Sequence, residues 1–374
     1  MTQPYDIAAY YWPAYHDDPR WREFMPDGEG EWEIIRRAKP KFPGHRQPRI
    51  PAWGYLDESD PAVMEMKIEA AVKHGVNVFI FDWYWYDNSP FLEEAFNRGF
   101  AKARNNEKMK FYVMWANHDA TTLWDIERSH RREVIWPGAV DRATFDRATQ
   151  RLIDRFFGHP SYYRINDCPV FSIYELGTLI AGLGGIDATR AALEDFRARV
   201  RAAGFPDLHL QGILWESIPA SLSMVPGDRT QTQDATVRLL GLDSLTSYQW
   251  CHYIEPKGPY EAWGRKAVAL WAKWAGEFSI PFFPHVAIGW DSNSRVVERR
   301  EIITDGSPQL FGEFLRQALQ FVDEHKTVPR LVTINSWNEW SEGSYLEPDT
   351  VHGNGYLEAV QSTVFGRPVR KLCQ

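Results

Sequence analysis

Two carboxylates, Glu339 and Glu342, end an apolar strand-like run in the stretch LVTINSWNEWSEGSYLEPD, residues 331–349. They stand among Trp337, Trp340 and Tyr345. A carboxyl beside indole rings loses water, and a desolvated carboxyl holds its proton to higher pH. At a sugar-sized cleft such a pair can run glycoside hydrolysis, one group protonating the leaving oxygen while the other assists attack. The bland alternative is a surface loop with two ordinary acids. Against it, Trp337, Asn338 and Trp340 would shield the pair, and Gly343 permits close approach of a ligand or of backbone.

Polar and aromatic residues also gather where other strand-like runs end. The candidate substrate contacts are Tyr11, Trp12, Asp82, Trp83, Trp85, Asn117, Tyr248, His285, Trp290, Trp337 and Asn338, with Glu339 and Glu342 as the catalytic pair. His16, Trp115, His118, Glu175, Trp215, Glu216, Trp250 and Asp291 complete the same rim. Strand ends reach solvent and are often polar for that reason alone, which does not explain Trp paired with carboxylate. Asp82 reads as a strand-end hydrogen bonder to a hydroxyl, or as a capping or barrel-internal group. Asn117 and Tyr248 suit sugar hydroxyls. His285 lies inside an apolar strand, where a histidine is as readily a satisfied core residue. His16, Asp17 and Asp18 hint at a metal, but no second His or Cys cluster has ligand spacing, so no metal and no cofactor is expected. The chain has no GxSxG, Walker A or GxGxxG, which sets aside acyl transfer, ATP and dinucleotides.

These residues need a rigid frame. Eight β-rich runs recur with helical patterns between them: residues 5–15, 76–86, 110–118, 168–175, 208–217, 244–250, 281–291 and 330–340. Helices are expected over 60–75, opened by Asp60 and Pro61 and closed by Gly75, over 187–204, 259–278 and 309–326, and at 355–365. Eight strands with interleaved helices predict an α/β fold, a single (β/α)8 TIM barrel over residues 1–374, with no linker or repeat dividing it. Long insertions at 16–59, 119–140 and 292–308 follow strands one, three and seven, on the face where barrel active sites lie.

The 374 residues are 44% hydrophobic and 25% charged, enough for a large core, and carry a formal charge of −8. The basic residues are scattered, which excludes a nucleic-acid or anionic-membrane footprint. Three separated cysteines, Cys168, Cys251 and Cys373, exclude a disulfide framework and a CxxC metal site. With no secretory signal at the N-terminus a cytoplasmic location is expected, or a periplasmic or secreted one if a signal peptide was removed. Aromatic content is 14%, with 17 Trp; such rings pack or bind flat amphipathic partners, and sugar rings have such faces. An oligosaccharide or polysaccharide is the expected partner.

These motifs resemble the glycoside hydrolase family 99-like proteins, also called WbsX-like, of bacterial polysaccharide loci. The resemblance rests on KPKFPGHRQPRIP (39–51), MWAN (114–117), CPVFSIY (168–174), GWDSNSR (289–295) and SWNEWSEGSYLEP (336–348). It implies a (β/α)8 barrel that cleaves glycosidic bonds with retention and without metal, through a 1,2-anhydro sugar. Glu339 would then deprotonate the sugar's 2-hydroxyl, which attacks C1, and Glu342 would act as acid and then base. Without a 2-hydroxyl trans to the leaving group, Glu339 would itself be the nucleophile. The chain departs from the family in HDATTLWD after WAN, so contacts near His118 and Asp119 are expected to differ. The competing readings are a glycosyltransferase of surface-polysaccharide synthesis, although no Asp-x-Asp occurs, and a carbohydrate-binding barrel that has lost catalysis.

Overall fold

Strands separated by helical segments cannot turn back as hairpins, so they pair in parallel through crossovers. The computed structural model describes residues 4–125, 128–215 and 233–366. Its principal strands are β1 (Asp6–Tyr11), β2 (Val78–Tyr86), β3 (Lys110–Trp115), β4 (Cys168–Ile173), β5 (His209–Ile213), β6 (Ser244–Thr246), β7 (His285–Ala287) and β8 (Leu331–Asn335). They lie in the order β6-β5-β4-β3-β2-β1-β8-β7, each parallel to its neighbours. Between β6 and the approach to β7, Leu245 N–H donates to Pro281 O at 2.9 Å and Phe283 N–H to Leu245 O at 2.8 Å. The sheet is thereby nearly closed into the (β/α)8 barrel that the sequence predicts.

Helices cover the outside. The segment opened by Asp60 forms a helix over Pro61–His74, where the Asp60 carboxylate accepts from Ala62 N–H and Gly75 closes the end at φ 95°. Ser307 caps Pro308–Glu324 in the same way, accepting from Leu310 N–H. Ile186–Ala202 begins one residue before Asp187, with Gly185 in place of a side-chain cap. Helices at Trp32–Arg37, Arg142–Leu152, Leu176–Leu183 and Gln233–Leu239 go beyond those read from periodicity.

The last strand also stops earlier than expected, at Asn335. Beyond it, Asn338–Glu339 pairs antiparallel with Ser344–Tyr345, joined by a 3-10 turn at Trp340–Glu342 and by Gly343 at φ 66°. The two glutamates therefore ride on a tight hairpin over the mouth of the barrel. A Cβ at Gly343 would meet Arg49 Nη2 at 2.8 Å, so the close approach that this glycine allows is to a guanidinium of the first long loop. Among the described residues no helix is long and apolar enough to cross a membrane. Cys168 and Cys251 are free thiols, while Cys373 and Glu216 lie outside the described residues.

Candidate active site

A carboxylate under a barrel rim needs a counter-charge or a proton. Arg295, on a 3-10 turn of the third long loop, supplies the counter-charge. Its Nη1 donates to Glu342 Oε1 at 2.7 Å, its Nη2 to Glu339 Oε1 at 3.1 Å, and its Nε to Glu31 Oε1 at 2.9 Å. The guanidinium also lies 5.7 Å from the Trp12 ring. Glu31 is held in turn by Trp12 Nε1 at 2.7 Å and by Ser341 Oγ at 2.8 Å. Three carboxylates thus share one cation, and full ionisation would leave the cluster negative.

Burial and the neighbouring Glu339 charge push the Glu342 carboxyl up to about 8, against the pull of Arg295. Burial raises Glu339 as well, opposed by Arg295 and by a hydrogen bond from Tyr248. Glu339 has two stabilising donors at its carboxylate and Glu342 has Arg295 alone, so the proton rests on Glu342 near neutral pH.

Tyr248 imposes a further constraint. Its hydroxyl lies 2.8 Å from Glu339 Oε2 and 2.9 Å from Asp82 Oδ2. One phenolic proton cannot serve two carboxylates, so one of them must carry a proton of its own. Asp82 is that group: burial and the Glu339 charge raise its carboxyl well above the usual range, and no cation bonds to it. Its Oδ1 is buried without a protein partner. Asp82, Tyr248 and Glu339 form a chain of donors that ends on Glu339.

These groups face a cavity of about 260 Å³. Trp12, Tyr84, His118, Trp124, Tyr174 and Trp215 wall it, with Asp82, Tyr248, Arg295, Glu339 and Glu342. Trp215 stacks on His252 at 3.9 Å and 4°, which fixes its ring plane. Among the described residues no group of three or more His, Cys, Asp or Glu could hold a metal ion. Asp17 is held by Arg22 and Asp18 by Arg20 N–H and Leu92 N–H, while His16 Nδ1 meets Asp17 O and its Nε2 is buried without a protein partner.

The structure brings together Trp12, Asp82, Tyr248, Glu339 and Glu342 of the predicted contacts and catalytic pair, with His118 and Trp215 of the wider predicted rim. The others go elsewhere. Tyr11 turns outward and donates to Glu58 at 2.9 Å. Trp83 donates to Glu93 at 2.8 Å and packs beside Trp85 at 5.7 Å, in the layer between sheet and helices. Asn117 brackets the backbone of Glu175. Asn338 brackets that of Trp12. His285 is fully buried in the barrel against Thr333, held neutral by burial. Trp337 is fully buried against Phe79 and Trp53. The indoles expected to shield the glutamates therefore lie behind the hairpin, and Trp340 stacks on Tyr345 at 3.7 Å. Trp290 lines a neighbouring cavity instead.

Sequence reasoning missed Arg295, Glu31, Tyr84, Trp124 and Tyr174. For Tyr84 the signal was present: side chains alternate along a strand, and with Asp82 facing inward it is Tyr84, not Trp83 or Trp85, that joins it. Arg295 ends the GWDSNSR stretch and carried no signal of its own charge partners.

Comparison with known proteins gives the same picture of the fold. Two curated relatives, both named "Uncharacterized protein WxcX", come from Xanthomonas campestris pv. campestris strains B100 and ATCC 33913; each is 26% identical over 98% of this chain. The chain spans about half the length of these relatives, 50% of each. Among solved structures, the GH99 endo-alpha-mannosidase from Bacteroides thetaiotaomicron matches with TM-score 0.60 and 16% identity, over 97% of both chains. A "Glycoside hydrolase-like protein" matches with TM-score 0.64 and 14% identity, over 97% of this chain and 94% of that one. The family 1 b-glucosidase from Thermotoga maritima matches at 0.51 with 11% identity over 99% of both. At such identities the likeness shows a shared barrel fold. A family model matches from residue 7 to residue 360, through all eight strands and both glutamates, and the chain belongs to the family described as Glycosyltransferase WbsX.

Proposed function

We propose that the chain is a retaining glycoside hydrolase acting on an oligosaccharide or polysaccharide. The observation that carries this is the single guanidinium of Arg295 holding Glu339 and Glu342 on its two terminal nitrogens, and the raised carboxyl of Glu342 fits it for the acid. Retaining enzymes keep their two carboxyls close, while inverting enzymes space them to admit a water. In this reading Glu342 gives its proton to the glycosidic oxygen as the bond to C1 breaks. Glu339, ionised, takes the proton of the 2-hydroxyl as that oxygen closes on C1, or attacks C1 itself where no trans 2-hydroxyl exists. Water then attacks C1 and gives its proton to Glu342 as base, while Glu339 returns its proton to O2 or, in the covalent case, leaves C1. Trp12, Tyr84 and Trp215 offer ring faces to sugars, and the unpartnered Oδ1 of Asp82 offers an oxygen to a hydroxyl.

The test is a product-mass screen over α- and β-linked oligosaccharides, with Glu342→Gln in parallel. Release of sugar by the wild type alone supports the reading; equal release by both sinks it. The family's name, Glycosyltransferase WbsX, favours a second reading, a transferase. Binding of a nucleoside diphosphate in the micromolar range, with no hydrolysis in the screen, would replace the first reading with the second.

A further inference from the structure

A second cavity, of about 310 Å³, opens on the same face of the barrel, on the other side of the hairpin turn that carries the glutamates. Glu342 lines the first cavity and the next residue, Gly343, lines the second. Its walls are the loops after β7 and β8 and the first long loop. The loops after strands seven and eight are where (β/α)8 barrels frequently hold phosphate.

The charges are arranged for an anion. Asp291, the most buried carboxylate there, is spent: its Oδ2 accepts from His45 at 3.0 Å, Gln47 at 3.0 Å and Arg49 at 3.2 Å, and its Oδ1 accepts from Asn293 at 3.0 Å. Burial disfavours its charge, yet Arg49, Asn293 and His45 hold its carboxyl down to about 2. Arg49 Nε is buried without a protein partner. Arg46 is exposed and, among the described residues, makes no hydrogen bond or ion pair. Arg46 and Arg49 both line the cavity, together with His352 and Tyr356, on which the two arginines and the Asp349 carboxylate act electrostatically. Trp290 adds a half-buried indole, and Thr304 and Asp305 add groups that suit hydroxyls.

We propose that this cavity binds an acidic sugar unit, a ring bearing a carboxylate or a phosphate, with the anion on Arg46 and Arg49 and the ring against Trp290. The choice of a sugar rests on the glycan reading above; the anion preference does not. Because Asp291 N–H donates to Glu342 O at 2.7 Å, an occupant there would touch the backbone that positions the catalytic acid.

The test reads binding alone, so its failure leaves the hydrolase reading standing. Glucuronic acid, glucose 6-phosphate, inorganic phosphate and neutral glucose are titrated calorimetrically into the wild type, Arg46→Met, Trp290→Ala and Glu342→Gln. Expected are binding of the two acidic sugars at least tenfold tighter than glucose, weakening with salt, a loss of tenfold or more in Arg46→Met, and no change in Glu342→Gln. Arg46 is exposed, so its replacement leaves the fold intact. Acidic sugars binding no better than glucose, or equally well to Arg46→Met, would overturn the site. Inorganic phosphate binding as tightly as glucose 6-phosphate, with Trp290→Ala unchanged, would overturn the assignment to a sugar.

Discussion

Two buried clusters on this barrel are built from the same parts, several carboxylates on one cation, and only one of them faces a cavity. Behind the hairpin, Lys67 Nζ lies 2.5 Å from Glu58 Oε1 and 2.6 Å from Glu347 Oε1, with side-chain exposures of 1%, 0% and 4%. Neutral donors surround it: Tyr11 and Asn338 bond to Glu58, and Trp340 Nε1 to Glu347 at 2.8 Å. In the cavity, Arg295 serves three carboxylates, and Glu342 keeps 15% of its side chain exposed with no second donor. Both clusters bury charge. Chemistry needs the further condition that one acid is left short of partners and open to a ligand.

Substitutions separate the two kinds of cluster. Glu342→Gln and Glu339→Gln should each lower turnover by roughly 10²–10⁴, the scale of a positioned acid or base. Lys67→Met should leave the turnover of folded protein near wild type while costing roughly 3–5 kcal/mol of stability, because two buried carboxylates lose their cation. Equal losses of turnover in Lys67→Met and Glu342→Gln would erase the distinction. Arg295→Met should damage both properties, measured by melting and by rate on one sample.

The pH dependence sharpens the contrast. In the proposed mechanism Glu342 is the acid, so the alkaline limb of the rate should fall near pH 8. Tyr248 holds Glu339 down, so Tyr248→Phe should raise that carboxyl and move the acid limb of the rate to higher pH, with a modest loss at the optimum. Stability follows the opposite logic. A raised carboxyl binds its proton more tightly folded than unfolded, so its contribution is full below its ordinary value of 4.5 and is lost as pH climbs through about 8. Relative to wild type, Glu342→Gln should therefore gain in melting temperature between pH 5 and pH 9. That is the smallest of the expected effects.

The barrel was legible because each strand announces itself locally, as in VNVFIFDWYWY, and each helix by its caps, as at Asp60 and Gly75. Glu339 and Glu342 were legible because their neighbours are so apolar. What the sequence concealed was direction. Trp83 and Trp85 look like sugar platforms until strand alternation assigns Asp82 and Tyr84 to the inside and the indoles to the helices. Trp337 and Asn338 stand beside the glutamates in sequence, yet the hairpin turns them into the core. Arg295 was hidden for a different reason: it meets Glu31 and Glu339 across separations of 264 and 44 residues, which no local pattern encodes.

The division of labour between the glutamates is the central claim, and a glycosyl fluoride of the sugar found in the screen tests it directly. Fluoride departs with little need of a proton, so the first bond cleavage can proceed without the acid while still needing Glu339. The account predicts a burst of fluoride from Glu342→Gln, close in rate to wild type, and none from Glu339→Gln. A burst from Glu339→Gln, with none from Glu342→Gln, would contradict it.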